Sequence, residues 1–287
     1  MLTLALSIAC SVAVSVFLKL ARRYAIQVDQ AIGINYLIAS VLCLALLRPD
    51  LSSVTHNTPA AWWTLALLGV LLPLVFLIMA GAVRQAGIVL SDAAQRLSLV
   101  IPLLAAFLLF GEAASSIKLA GIVVALLALA CLLVRPRAAT AGTGAHAGAT
   151  GMALLLGVWL GYGAIDILFK HLAKSGAAFS SSLLLSFVLA AVLMFVWLGL
   201  RRATAWSPRS LASGLLLGLL NFGNIYFYIR AHQTFPDNPT LVFSAMNIGV
   251  ISVGTLVGAW VFRERLGRLN VLGIALALLA IVLLLPR

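Results

Sequence analysis

The chain has 287 residues, 63% of them hydrophobic and 9% charged, with a mean hydropathy of +1.16. A water-soluble domain carries about 25% charged residues to cover its surface, so this composition excludes one. The formal net charge is +12, yet 18 of the 19 Lys and Arg fall in connecting segments or at the ends of apolar runs; the excess therefore reads as membrane topology and speaks against a nucleic-acid partner.

A membrane-spanning helix needs roughly 20 mostly apolar residues. In chain order the sequence predicts spans at 2–20, 32–48, 60–82, 88–110, 116–134, 151–171, 180–200, 210–231, 239–262 and 268–285. The first run lacks a basic leading region and is followed by Lys19, Arg22 and Arg23, so it is expected to be a span rather than a cleaved signal peptide. Residues 135–150, small and polar without periodicity, read as a linker between a first half at 1–134 and a second at 151–287. Cys10, Cys43 and Cys131 lie in apolar runs at spacings that make no metal motif, and packing roles are expected for them. Neither a metal nor a cofactor is expected. No phosphate loop or Ser-His-Asp spacing is present, so an enzyme is not expected either.

The two halves repeat each other. A shift of 152 residues lays 110–133 on 262–285 with ten of 24 positions identical, including Phe110, Glu112 and Gly121. A shift of 151 lays FLKLARR (17–23) on LFKHLAK (168–174), matching Lys19 to Lys170. Five spans per repeat is an odd number, so the second copy enters the membrane inverted, the architecture of secondary transporters with a site near the midplane. The expected fold is thus an all-α integral membrane protein: ten transmembrane helices arranged as two inverted five-helix repeats around a central cavity.

Polar residues inside hydrocarbon are costly and face protein or a watery space. On the fourth span Asp92, Gln95 and Arg96 share a face. On the sixth, Trp159, Tyr162, Asp166 and Lys170 recur at helical spacing, and Ser7, Ser11, Ser15 and Lys19 form the matching stripe on the first. The eighth carries Asn221, Asn224, Tyr228 and His232, and the ninth carries Asn247, the repeat partner of Gln95. The candidate substrate-binding set is Asp92, Gln95, Arg96, Trp159, Tyr162, Asp166, Asn221, Asn224, Tyr228 and Asn247. Structural alternatives stand beside it: Asp92 with Arg96, and Asp166 with Lys170, read equally as ion pairs, the second at the membrane surface; His232 reads as a wet helix end. Glu112 and Glu264 read as residues favouring a helix N-terminus, and Gly157/Gly161, Gly214/Gly218 and Gly254/Gly258 as close-packing pairs. Pro73 is expected to kink the third span.

Two five-helix repeats, each opening with a helix that ends in Phe-x-Lys-type residues and carrying a Glu between its last two helices, resemble the ten-helix EamA-like branch of the drug/metabolite transporter superfamily. The resemblance covers nearly the whole chain. FLKLA also resembles the first helix of that superfamily's small four-helix multidrug exporters, without their membrane-embedded Glu. It implies a basket of helices, with a cavity lined mainly by the first, third, fourth, sixth, eighth and ninth, and export rather than import.

The expected function is alternating-access transport of a small polar molecule, with Arg96 meeting a carboxylate, as in an amino acid or organic acid. Organic cations become the substrate class if Asp92 or Asp166 meets the ligand, and a lipid-linked flippase is the further alternative. Either Asp is also a candidate carrier of a coupling proton. The bacterial cytoplasmic (inner) membrane is the expected location, with the protein a monomer or homodimer. The odd-numbered loops hold 12 Lys and Arg and the even-numbered loops with the C-terminus hold 6, which puts both termini outside by the positive-inside rule.

Overall fold

Apolar runs of this length fold as helices because hydrocarbon offers no partner for a backbone N–H or C=O, and a helix satisfies both within itself. A computed structural model describes residues 1–23, 26–50, 59–86, 88–133, 148–174, 179–201, 206–261 and 267–285; side chains are described in these ranges except at 18–23, 59–61, 88–89, 92, 132–133 and 270. The elements are α1 (Leu2–Arg23), α2 (Val28–Leu42, prolonged by a π-helical turn, Cys43–Leu47), α3 (Pro59–Gln85), α4 (Ile88–Leu97), α5 (Val100–Leu108), α6 (Ser116–Leu133), α7 (Ala149–Lys174), α8 (Phe179–Leu200), α9 (Pro208–Thr234), α10 (Pro239–Val261) and α11 (Arg268–Leu284). Among the described residues there is no strand. Six helices are long and apolar enough to cross a membrane, and four shorter apolar segments accompany them: Leu2–Phe17, Ala93–Leu108, Ser116–Cys131 and Val271–Leu284. The chain is an all-α, multi-pass membrane protein.

The expected fourth span is not one helix. It breaks at Ser98–Leu99 into α4 and α5. Pro102 is the physical reason: its ring has no N–H to give to the Ser98 carbonyl and crowds that carbonyl, four residues earlier. The turn tightens instead, with the Leu99 amide donating to Arg96 O at 3.2 Å, the Ile101 amide to Ser98 O at 3.0 Å and the Ser98 hydroxyl to Gln95 O at 2.6 Å. Pro73, by contrast, lies within an unbroken α3. The second span starts four residues before its expected boundary, at Val28, and ends on Arg48 in the left-handed region at φ 43°. The expected linker at 135–150 lies outside the described residues except for its last three.

Packing pairs the helices across the two halves of the chain. The most extensive contact is α6 along α11; α1 packs on α9 as α3 packs on α7, α2 on α9 as α3 on α8, and α2 also meets α8. The α6–α11 seam is built from small residues, Ala125 and Ala128 against Ala277 and Ala280, all buried. Gly121 adds to it, since a Cβ there would lie 2.9 Å from Leu284 Cγ. Gly214 and Gly218 bring α9 onto the α2 backbone, and Gly157 and Gly161 bring α7 onto Ile78 and Val75 of α3. The third expected pair fails in part: nothing lies within 4 Å of a Cβ at Gly254, so that glycine makes no close helix contact.

The α5 exit positions Glu112, whose carboxylate crosses to the other half of the chain, as that of Asp29 on α2 crosses to Arg201 at 2.9 Å. Leu109 and Phe110 amides both return to Ala105 O, the Glu112 amide returns to Ala106 O at 3.0 Å, and Gly111 between them takes φ 67°. This is the glycine-terminated helix end in which a left-handed residue aims the chain away. Gly111→Ala is expected to cost about 1–2 kcal/mol, the strain of a side chain in that region, read as a lower unfolding midpoint of the purified protein.

Candidate functional site

Helix α7 carries the site on one face at two levels. Trp159 and Asp166 are seven residues apart, about 10.5 Å along the axis. At the first level, the Trp159 indole N–H donates to Leu97 O at 3.1 Å. That carbonyl is available because the α4 break leaves no helical amide to take it. Trp159 thus clamps α7 to the broken end of α4, beside Gln95 and Arg96, which are both partly buried. The side chain of Asp92 lies outside the described residues, so its expected pairing with Arg96 does too. Tyr162, one turn along α7 from Trp159, is partly buried and packs on two apolar clusters.

At the second level three helices converge. The Tyr228 hydroxyl on α9 donates to Asp166 Oδ1 at 2.9 Å. Asn247 on α10 is a second polar partner of the same carboxylate, and its amide also donates to Phe243 O at 3.1 Å. One turn before Tyr228, Asn224 receives α1: the Ser7 hydroxyl lies 3.0 Å from Asn224 O, 2.9 Å from its Oδ1 and 3.4 Å from Met246 Sδ. Three acceptors compete for one proton there, so a small shift of α1 exchanges partners without losing a bond. Asn221, a turn earlier again, is buried with its amide nitrogen unpartnered.

The structure therefore unites Asp166, Tyr228 and Asn247, sets Asn224 and Ser7 beside them, and places Trp159, Gln95 and Arg96 two turns away. Among the described residues no Lys or Arg forms an ion pair with Asp166. The expected surface pair with Lys170 is not formed: Lys170 is buried, 1% exposed, and its ammonium donates to Pro236 O at 2.7 Å. Its helix continues to Lys174, and the α9–α10 connection at Pro236 and Phe110 before the α5–α6 turn lie over it. His232, expected to be a wet helix end, is 1% exposed between Tyr228 and Phe243, with ring centroids at 4.9 and 4.8 Å.

Glu112 does favour a helix N-terminus, but that of α10 in the other half of the chain rather than of α6, which follows it. Its Oε2 accepts from the Thr240 amide at 3.0 Å and the Thr240 hydroxyl at 2.6 Å, while Oε1 pairs with Lys118 at 3.0 Å. Glu264 lies outside the described residues. Sequence reasoning also passed over Asn35 and Tyr36 on α2, both fully buried with unpartnered polar atoms. Their signal was available, an Asn-Tyr pair inside an apolar run.

Two grooves lie elsewhere. One of about 490 Å³ runs between α1, α9 and α10, lined by apolar residues such as Val12, Val16, Leu220 and Val257. The other, of about 360 Å³, lies between α2 and α8. Neither is lined by a candidate site residue. The cluster around Asp166 is instead a lined seam of partly exposed side chains: Asp166, Tyr162, Asn224 and Asn247 all keep intermediate exposure.

No family model matches the chain. A solved crystal structure of a protein shares its fold, with a TM-score of 0.72 at 12% identity, over 98% of this chain and 94% of that one. A protein of Haemophilus influenzae, described only as uncharacterized, is 52% identical over 283 residues, which span 96% of this chain and 94% of the relative. Identity at that level along nearly both full lengths makes this chain a member of the same family as the Haemophilus influenzae protein.

Proposed function

We propose that the protein is a secondary transporter of a small polar metabolite that carries an ammonium group, an amino acid being the fitting class, and that it works by alternating access. The observation that carries this reading is Asp166. It lies inside a spanning helix, held by the neutral donors Tyr228 and Asn247. Asp in mid-hydrocarbon costs about 2.5–3.5 kcal/mol on insertion scales. With no fixed cation beside it among the described residues, the carboxylate leaves its charge for something that comes and goes. An ammonium does so, and so does a coupling proton.

The cross-half packing supports the two inverted repeats behind the alternating-access reading. Exchanging the five spans of one half for those of the other maps α1–α9 onto α7–α3, α2–α9 onto α8–α3, and α6–α11 onto itself, as a pseudo-two-fold in the membrane plane requires. Ten spans follow if α4 with α5 count as one. The likeness to EamA-like transporters implies the same function class and an exporter. Broken helices at a membrane site are a recurrent transporter device, and the α4–α5 break sits at the Trp159 level.

The anionic end of an amino acid would fall towards Arg96 and Gln95. An organic cation without a carboxylate is the second reading, because Asp166 alone serves it. Melting of the purified protein against amino acids, organic acids and lipophilic cations separates the readings, since a ligand bound only by the folded state raises the midpoint. An amino acid that stabilises the parent but not Arg96→Ala is the expected result. Stabilisation by cations alone, unaffected by Arg96→Ala, selects the second reading. Uptake or efflux of the stabilising compound in proteoliposomes then tests transport itself; a bound compound that never crosses sinks the transporter reading.

A further inference from the structure

Beyond Asp166, along α7 and α9 and back towards the start of α10, the core closes in layers. One turn on, Lys170, His232 and Phe243 are buried at 1%, 1% and 0% exposure. Phe169 packs edge-on to Tyr228 at 6.1 Å, and His232 fills the space between Tyr228 and Phe243. A further turn on, the connection from α9 to α10 is tied down twice: Lys170 donates to Pro236 O, and Glu112 takes the Thr240 amide and hydroxyl. In the other direction the stripe residues of α7 and α1 gain exposure: Tyr162, Trp159 and Ser11 are partly exposed and Ser15 is exposed. The seam is therefore shut at one end and accessible towards the other.

The geometry points to a latch: Glu112, anchored by Lys118 and reaching across the halves to the N-terminus of α10, together with Lys170 on the α9–α10 connection, holds this end of the molecule closed. Its geometry stands apart from the transport reading, but its purpose rests on it. Every bond in the latch joins separate elements, so a rocking motion that opens this end must break Glu112–Thr240 and Lys170–Pro236 together while leaving each helix intact. A buried carboxylate bonded to a helix N-terminus across a movable joint is strong when formed and has water to replace it when open, which suits a two-state closure. Two residues that the repeat comparison singled out at the sequence level, Lys170 and Glu112, thereby acquire one joint role.

The test places a reporter cysteine behind the latch. Ser244, fully buried on α10 between Asn247 and Thr240, becomes Ser244→Cys in a background with Cys10, Cys43 and Cys131 replaced by Ala; Ser11→Cys in the same background reports the other end. Labelling by a water-soluble maleimide is timed in nanodiscs. Slow labelling of Ser244→Cys is expected in the parent, rising at least tenfold on Glu112→Ala or Lys170→Met, while Ser11→Cys labelling stays level or falls. Thr240→Val, which removes one bond of the latch and spares the fold, is expected to give a smaller rise in the same direction. An unchanged Ser244→Cys rate would overturn the latch, as would both reporters rising together, since that is general loosening. Failure to move any substrate, with the labelling pattern intact, would count against the transport reading and leave the latch standing.

Discussion

Asp166→Asn is expected to weaken binding of an ammonium-bearing ligand by roughly a hundredfold, because a charge-assisted contact worth about 3 kcal/mol becomes a dipolar one. The folded protein should lose no stability. The amide removes from the membrane interior, where its cost is highest, a charge that no described Lys or Arg compensates, so an equal or higher melting point is expected in the absence of ligand. That opposite pair of effects separates a binding group from a structural one. Tyr228→Phe should fall between, at roughly tenfold, since it removes one hydrogen bond of about 1–1.5 kcal/mol from the carboxylate and keeps the ring against Phe169 and His232. Ligand-dependent melting curves measure all three. An Asp166→Asn protein that binds the same ligand as tightly as the parent would remove the basis of the proposed site.

Gly214→Ala and Gly218→Ala are expected to destabilise the protein by about 1–3 kcal/mol each, the usual cost of overpacking. A Cβ at Gly214 would stand 2.6 Å from Ile34 Cβ and 2.9 Å from Ala31 O; at Gly218 it would stand 2.7 Å from Ile38 Cβ and 3.0 Å from Asn35 O. These neighbours are a backbone oxygen or an atom attached to the backbone, which cannot swing aside, so α2 and α9 must separate. The double variant should cost less than the sum, because the first Cβ has already opened the interface that the second would strain. Gly254→Ala is the matched control. Nothing lies within 4 Å of its Cβ, and Ala is the better helix former, so no loss is expected. Denaturant unfolding of the three single variants and the double decides it; a Gly254→Ala loss equal to the others would mean that the cost is not at the α2–α9 contact.

The existence and order of the helices, the multi-pass membrane class and the polar stripes were legible in the sequence. Length and hydropathy determine a spanning helix almost alone, since hydrocarbon leaves the backbone no other solution, and a period of 3.6 places Asp166 and Trp159 on one face before any partner is known. The break in the fourth span has its cause in Pro102, inside an apolar run that by itself predicts one helix, and Pro73 within the unbroken α3 shows that a proline alone does not decide the matter.

What a residue touches across the fold was not legible, because it depends on which helices become neighbours. Gly214 and Gly254 belong to the same small-residue pattern, and only the packing of α9 on α2 made the first indispensable and left the second open. Lys170 read as a surface charge until Pro236 and the α5–α6 turn closed over it. The Glu112 carboxylate suited some helix N-terminus from its sequence position, but the tertiary structure chose α10, 128 residues away, over the helix that follows it. Local pattern determines what each segment is, through the short-range geometry of the backbone; the partners of its polar groups are long-range choices that only the assembled bundle makes.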